Sequence, residues 1–132
     1  MIATTEQIAD VRPFVGLDEE VLAAVAEKSL YIWVPKGQTV IRQGDSGFEF
    51  YIIRAGDAIV KKDGEIIARL GRGAVFGEMV VEGGGRRSAD VIAETPLSLM
   101  TMSVWNYRSI TEEYPELAER FREIAESRRN DT

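Results

Sequence analysis

The stretch Phe76-Gly77-Glu78-Met79-Val80-Val81-Glu82-Gly83-Gly84-Gly85-Arg86-Arg87-Ser88-Ala89-Asp90-Val91 holds a turn, a short apolar helix, a glycine hinge and an arginine in one span. Gly77 supplies an open backbone where a helix begins, so N–H groups without intrahelical partners point outward and make an anion site. Glu78 sets a carboxylate at the same helix start, where the macrodipole favours negative charge. Met79, Val80 and Val81 anchor the helix to a core. Gly83, Gly84 and Gly85 let the chain fold back sharply, which swings Arg87 toward the same anion. Free amides and a guanidinium suit a phosphate, and the carboxylate beside them can accept hydrogen bonds from sugar hydroxyls. A phosphate held next to a ribose describes a nucleotide.

On either side of this stretch the pattern is β. Leu30–Val34, Thr39–Arg42, Phe48–Ala55, Ala58–Lys62 and Glu65–Leu70 precede it, and Ala89–Glu94 and Pro96–Met102 follow. Turn sequences separate the runs: Pro35-Lys36-Gly37, Gly44-Asp45-Ser46-Gly47, Gly56-Asp57 and Lys62-Asp63-Gly64. Asp63-Gly64 is a strong hairpin signal. Strands so evenly spaced predict roughly eight in an antiparallel β-roll or jelly roll.

Helices flank the β region. Thr4 or Thr5 caps a first segment that carries Ile8 and Val11 and ends at Pro13, since the residue before a proline disfavours the helical region. Asp18 is the expected cap of a second, Glu19 to about Lys28, with Val21, Leu22, Val25 and Ala26 on one face. Helix returns after the capping residue Ser103, and Pro115 starts the last helix at its first turn. Leu117, Phe121, Ile124 and Ala125 form its apolar stripe, and Arg128 and Arg129 stand where a helix C-terminus favours cations. Trp33 and Trp105 are read as packing residues, and Glu112-Glu113 as a solvated face. The predicted class is therefore α+β, mainly β: one domain over 1–132, with helices at 4–28, a roll at 30–102 and helices at 103–129.

Composition narrows the chemistry. The 132 residues can bury one modest core. Cysteine and histidine are both absent, which removes disulfides, thiol chemistry, the usual general base and the commonest metal ligand. A metal cupin, the nearest enzymatic look-alike, loses its usual ligands. The expectation is no enzyme, no metal and no cofactor. A net charge of −6 argues against nonspecific nucleic-acid binding, which relies on Lys and Arg. No apolar run reaches a membrane span and no signal peptide is apparent, so a cytoplasmic location is expected.

The spacing Phe76-Gly77-Glu78, a variable turn, then Arg87-Ser88-Ala89-x-Val91 resembles the phosphate-binding cassette of the cyclic nucleotide-binding domain. The likeness extends along the chain through Gly37, Gly44, Gly56, Gly64 and Gly71 or Gly73. It is most similar to the gating domains of cyclic nucleotide-regulated channels, which share Glu112-Glu113-Tyr114-Pro115 and a helix bearing a phenylalanine, here Phe121. Catabolite-activator transcription factors share Arg87-Ser88-Ala89 but continue into a helix-turn-helix. Val80-Val81-Glu82 and Arg86 depart from the common pattern, in positions that set hinge stiffness.

The resemblance implies a cAMP or cGMP ligand, cAMP favoured, and a regulatory sensor whose C-terminal helix closes as a lid. It implies that Arg87, Ser88 and Gly77 hold the phosphate, Glu78 the ribose 2′-hydroxyl, and the backbone of Gly77, Glu78, Met79 and Ala89 completes the cradle. Val60, Ala68, Leu70 and Arg128 would meet the base. Each residue also has a plainer role: Arg87 as a solvated arginine, Glu78 as a helix-start carboxylate, the apolar three as core, Arg128 as a last-turn cation. Possible partners are a second copy or a larger effector. The alternative function is a degenerate, non-binding domain of this type that serves as an interaction or dimerisation platform.

Overall fold

A computed structural model describes residues 1–77 and 85–131; side chains are described for all of these except Arg12 and 124–131. Eight strands form two four-stranded antiparallel sheets. The first sheet runs β1 (Leu30–Val34), β8 (Leu97–Ser103), β3 (Glu49–Ala55), β6 (Val75–Phe76). The second runs β2 (Thr39–Ile41), β7 (Asp90–Ala93), β4 (Ala58–Lys62), β5 (Glu65–Leu70). The expected α+β roll is thus present.

The side-chain period of two explains how the first sheet serves two cores. On β3, Phe50 and Ile52 join one buried cluster with Met100 and Met102 of β8 and the helices. Ile53 of β3 joins the other with Leu97 and Leu99 of β8, and Tyr51 packs against that cluster from the same face. Strand β8 is therefore apolar on both faces, as a strand covered on both sides must be. The second cluster also takes Ile41, Ala58, Val91 and Ala93, so it fills the space between the sheets.

The β4–β5 hairpin turns through Asp63 (φ 53°) and Gly64 (φ 83°). Two successive positive φ values are what a tight two-residue turn between antiparallel strands requires. Gln43 reaches across to this turn, its side chain donating to Asp63 Oδ1 at 2.8 Å and accepting from Asp63 N–H at 3.0 Å.

Helix α1 (Thr5–Ile8) has the Thr4 cap, with a reciprocal bond from Gln7, but is shorter than the sequence suggests. Val11 is extended and a 3-10 turn, Arg12–Phe14, contains Pro13. Proline sits in the first turn of this new segment, where its missing N–H costs nothing. Helix α2 (Glu19–Glu27) buries the predicted face. Ser103 Oγ accepts from Asn106 N–H and caps α3 (Val104–Glu113), and α4 (Pro115–Asp131) follows. Phe121 seats α4 on the roll. Its ring lies edge-on to Phe14, Phe50 and Tyr107, at centroid distances of 6.0, 5.2 and 5.3 Å. Arg120 adds bonds to the carbonyls of Pro13 and Val15.

The structure adds two points to the sequence reading. Strand β6, only two residues long, is not recognisable in the sequence because its pairing with Tyr51 and Ile52 is long-range. The packing role read for Trp33 and Trp105 is a surface one, since they are 62% and 60% exposed. Trp33 lies on the same face of β1 as half-buried Tyr31, and Trp105 stacks at 5.3 Å on the exposed ring of Phe48.

Candidate functional site

Arg87 is held from three stretches of chain that are distant in sequence. Its backbone N–H donates to Asp45 O at 2.7 Å, and its carbonyl accepts from Gly44 N–H at 2.8 Å. The segment that carries Arg87 is thereby pinned to the β2–β3 loop. The half-buried guanidinium donates through Nη2 to Glu49 O at 2.8 Å and through Nη1 to Gly77 O at 3.2 Å.

The guanidinium also lies against two glycines. A Cβ on Gly47 would stand 2.2 Å from Nε and Nη2, and one on Gly77 would stand 2.9 Å from Nη1. Gly77 needs its glycine for a second reason, a φ of +76°. The arginine therefore occupies a slot that exists because two side chains are missing. Among the described residues no carboxylate pairs with it. Its two carbonyl partners fix its direction without neutralising its charge, which is the state of a cation ready for an anion.

Beside it lies a cavity of about 100 Å³, lined by Val40, Ile41, Arg42, Asp45, Ser46, Glu49, Tyr51 and Arg87. That space admits a phosphate-sized group. The Tyr51 ring stacks on Phe76 at 5.1 Å and 14°. Burial, with a further push from the Glu49 carboxylate, holds the Tyr51 phenol above its usual value of 10.0 against the opposing pull of Arg87. The phenol is thus protonated at neutral pH and available as a donor.

An apolar strip leads away from the cavity along the inner face of the second sheet. Ile41 pairs with Val91, Val91 with Val60, and Val60 with Ala68. Leu70, opposite Ala58, is on the same face. Val60 and Leu70 are half-buried and Ala68 is exposed, so the strip runs outward from the core. The three residues predicted for a base are brought onto one surface that begins at the cavity wall.

Of the other predicted residues, Gly77 and Arg87 meet directly, Ser88 is exposed next to Arg87, and Ala89 is half-buried. Glu78, Met79 and the Arg128 side chain lie outside the described residues. Sequence reasoning missed Gly47, Glu49 and Tyr51. Gly44-Asp45-Ser46-Gly47 reads only as a turn, and nothing local shows that Arg87, forty residues on by number, fills the space Gly47 leaves.

A sequence profile described as the cyclic nucleotide-binding domain matches residues 31–114. The mouse potassium/sodium hyperpolarization-activated cyclic nucleotide-gated channel 2 is 31% identical over 118 residues, covering 89% of this chain and 14% of the channel. The human channel 3 is 31% identical over 121 residues, with 92% and 16% covered. The chain thus spans a small part of the curated relatives it matches. Among solved structures, the Thermus thermophilus catabolite activator protein superposes with a TM-score of 0.80 at 25% identity, covering 91% of this chain and 59% of that one. The C-linker/CNBHD of zELK channels, crystallized in the presence of cAMP, gives 0.73 at 25% identity, covering 92% and 62%. A cyclic nucleotide-binding domain from Methylobacillus flagellatus shares the fold, with a TM-score of 0.81 at 23% identity over 96% of this chain and 76% of that one.

Proposed function

The chain belongs to the cyclic nucleotide-binding domain family, and on that premise we propose that it binds a cyclic mononucleotide, cAMP in preference to cGMP, as a regulatory sensor and not as an enzyme. The observation that carries this is the Arg87 guanidinium, aimed by two carbonyls into a glycine-walled slot beside a phosphate-sized cavity. In this reading Arg87, Ser88 and the Gly77 backbone hold the phosphate, and Glu78 accepts from the ribose. Met79 and Ala89 contribute backbone to the cradle. The strip of Val60, Ala68 and Leu70 receives the base, and Arg128 meets it from α4.

Residues 1–132 act together as one sensing domain. Helix α4 packs through Phe121 on Phe50, whose neighbours Glu49 and Tyr51 line the cavity, so ligand and helix press on the same strand. Binding would shift α4 and pass the signal to a larger effector or a second copy in the cytoplasm. A degenerate platform would have no use for an arginine that has no carboxylate partner among the described residues.

Isothermal titration of cAMP and cGMP into ligand-free protein, with Arg87→Ala as control, tests the proposal. Micromolar or tighter binding of cAMP, weaker binding of cGMP, and at least a tenfold loss in Arg87→Ala are the expected results. No heat and no thermal shift at millimolar nucleotide would refute it.

A further inference from the structure

We infer that the Tyr51 hydroxyl is a direct ligand contact, donating a hydrogen bond to the phosphate of the bound nucleotide beside Arg87. The inference rests on the proposed function and assigns one more group to the same site. Tyr51 faces the space between the sheets from β3 and lines the cavity that Arg87 lines. Its ring is fixed by the stack on Phe76, and the backbone of β3 holds it in register with both Phe76 and Thr101. Its hydroxyl has no hydrogen-bond partner among the described residues, although the side chain is half-buried. Among the described residues only Ser98 Oγ is both buried and unpaired, so the Tyr51 oxygen is open to solvent at the cavity and its donor is available to an incoming group.

The electrostatics suit a donor. Burial and Glu49 keep the phenol protonated, so it carries no negative charge to repel a phosphate. Ring placement is paid in advance by the Phe76 stack, so a hydrogen bond formed on binding costs little further ordering. The cavity lining sets the carboxylates of Asp45 and Glu49, which repel an anion, against the cations of Arg42 and Arg87. A neutral donor on the wall adds attraction at that point without drawing the carboxylates into a competing ion pair.

Tyr51→Phe removes the hydroxyl and keeps the ring on Phe76, so the ligand-free protein should melt as the wild type does. Its affinity for cAMP should fall about tenfold, as for a hydrogen bond to a charged partner. Binding within twofold of wild type would overturn the role of Tyr51 and leave the sensor function standing. A wild type that binds no cyclic nucleotide would overturn both.

An independent reading does not need the Tyr51→Phe protein to fold. With 13C at tyrosine Cζ, Tyr31→Phe, Tyr107→Phe and Tyr114→Phe identify three of the four tyrosine signals, leaving that of Tyr51. That signal should shift on adding cAMP. An unmoved Tyr51 signal in saturated protein refutes the contact.

Discussion

Alanine at position 47 should abolish tight ligand binding while leaving the fold in place. The backbone at Gly47 does not have a positive φ, so it can accept a side chain, but the new Cβ would lie 2.2 Å from Arg87 Nε and Nη2 and 2.3 Å from Cζ. The obstructing group is the end of a flexible side chain, so the arginine swings out and the strands stay. Two bonds to the carbonyls of Glu49 and Gly77 are lost, at about 1 kcal/mol each once water replaces them. A loss of about 2 kcal/mol lowers the melting temperature by several degrees and leaves a cooperative transition. Binding suffers more. Without an aimed guanidinium the phosphate forfeits about 2–3 kcal/mol, or about thirty- to one-hundred-and-forty-fold in Kd. Titration of cAMP into Gly47→Ala, Arg87→Ala and the double variant measures this. If the glycine acts through the arginine, the double variant binds no worse than Arg87→Ala alone, a non-additive outcome. Wild-type affinity in Gly47→Ala, or fully additive losses, would refute the slot as the device that aims Arg87.

Three further outcomes follow from the packing. Phe121→Ala removes the ring that Phe14, Phe50 and Tyr107 surround and should cost about 3 kcal/mol; hydrogen exchange should show α4 losing protection before the sheets. Ser98 Oγ is buried with no hydrogen-bond partner among the described residues, so Ser98→Ala should be neutral or stabilise by up to about 1 kcal/mol in urea unfolding. The Tyr51 phenol is held above 10.0, chiefly by burial, so its protonated form favours the folded state. That stability is fully present below pH 10 and is lost as pH rises through the folded value. Absorbance titration should find Tyr51 ionising late, and Tyr51→Phe should remove its share of the alkaline destabilisation.

The parts of this protein that were legible in the sequence are those whose cause is local. Asp63-Gly64 announces a tight turn because its residue types tolerate the positive φ values found there. Ser103 and Thr4 announce helix starts because their oxygens reach N–H groups three residues on. Arg87 could be named from its motif, but its partners could not. Glu49 accepts from Arg87 through its backbone carbonyl and Gly47 contributes an absence, and neither has a residue-type signature. Tyr51 was missed because its importance lies in which sheet face it occupies beside a cavity. The tryptophans read as packing residues, but residue type alone does not say that Trp105 packs on the surface, against Phe48.

Strand β3 has a consequence for how this chain can change over evolutionary time. Phe50, under α4, and Tyr51, on the cavity, are joined by a single peptide bond and point to opposite sides. Substitutions along Glu49–Ile53 can drift within the limits of size and polarity. A one-residue insertion or deletion there cannot, because it would exchange the two faces, bringing a phenylalanine to the cavity and a phenol under the helix. The spelling of this segment is negotiable, but its length is not.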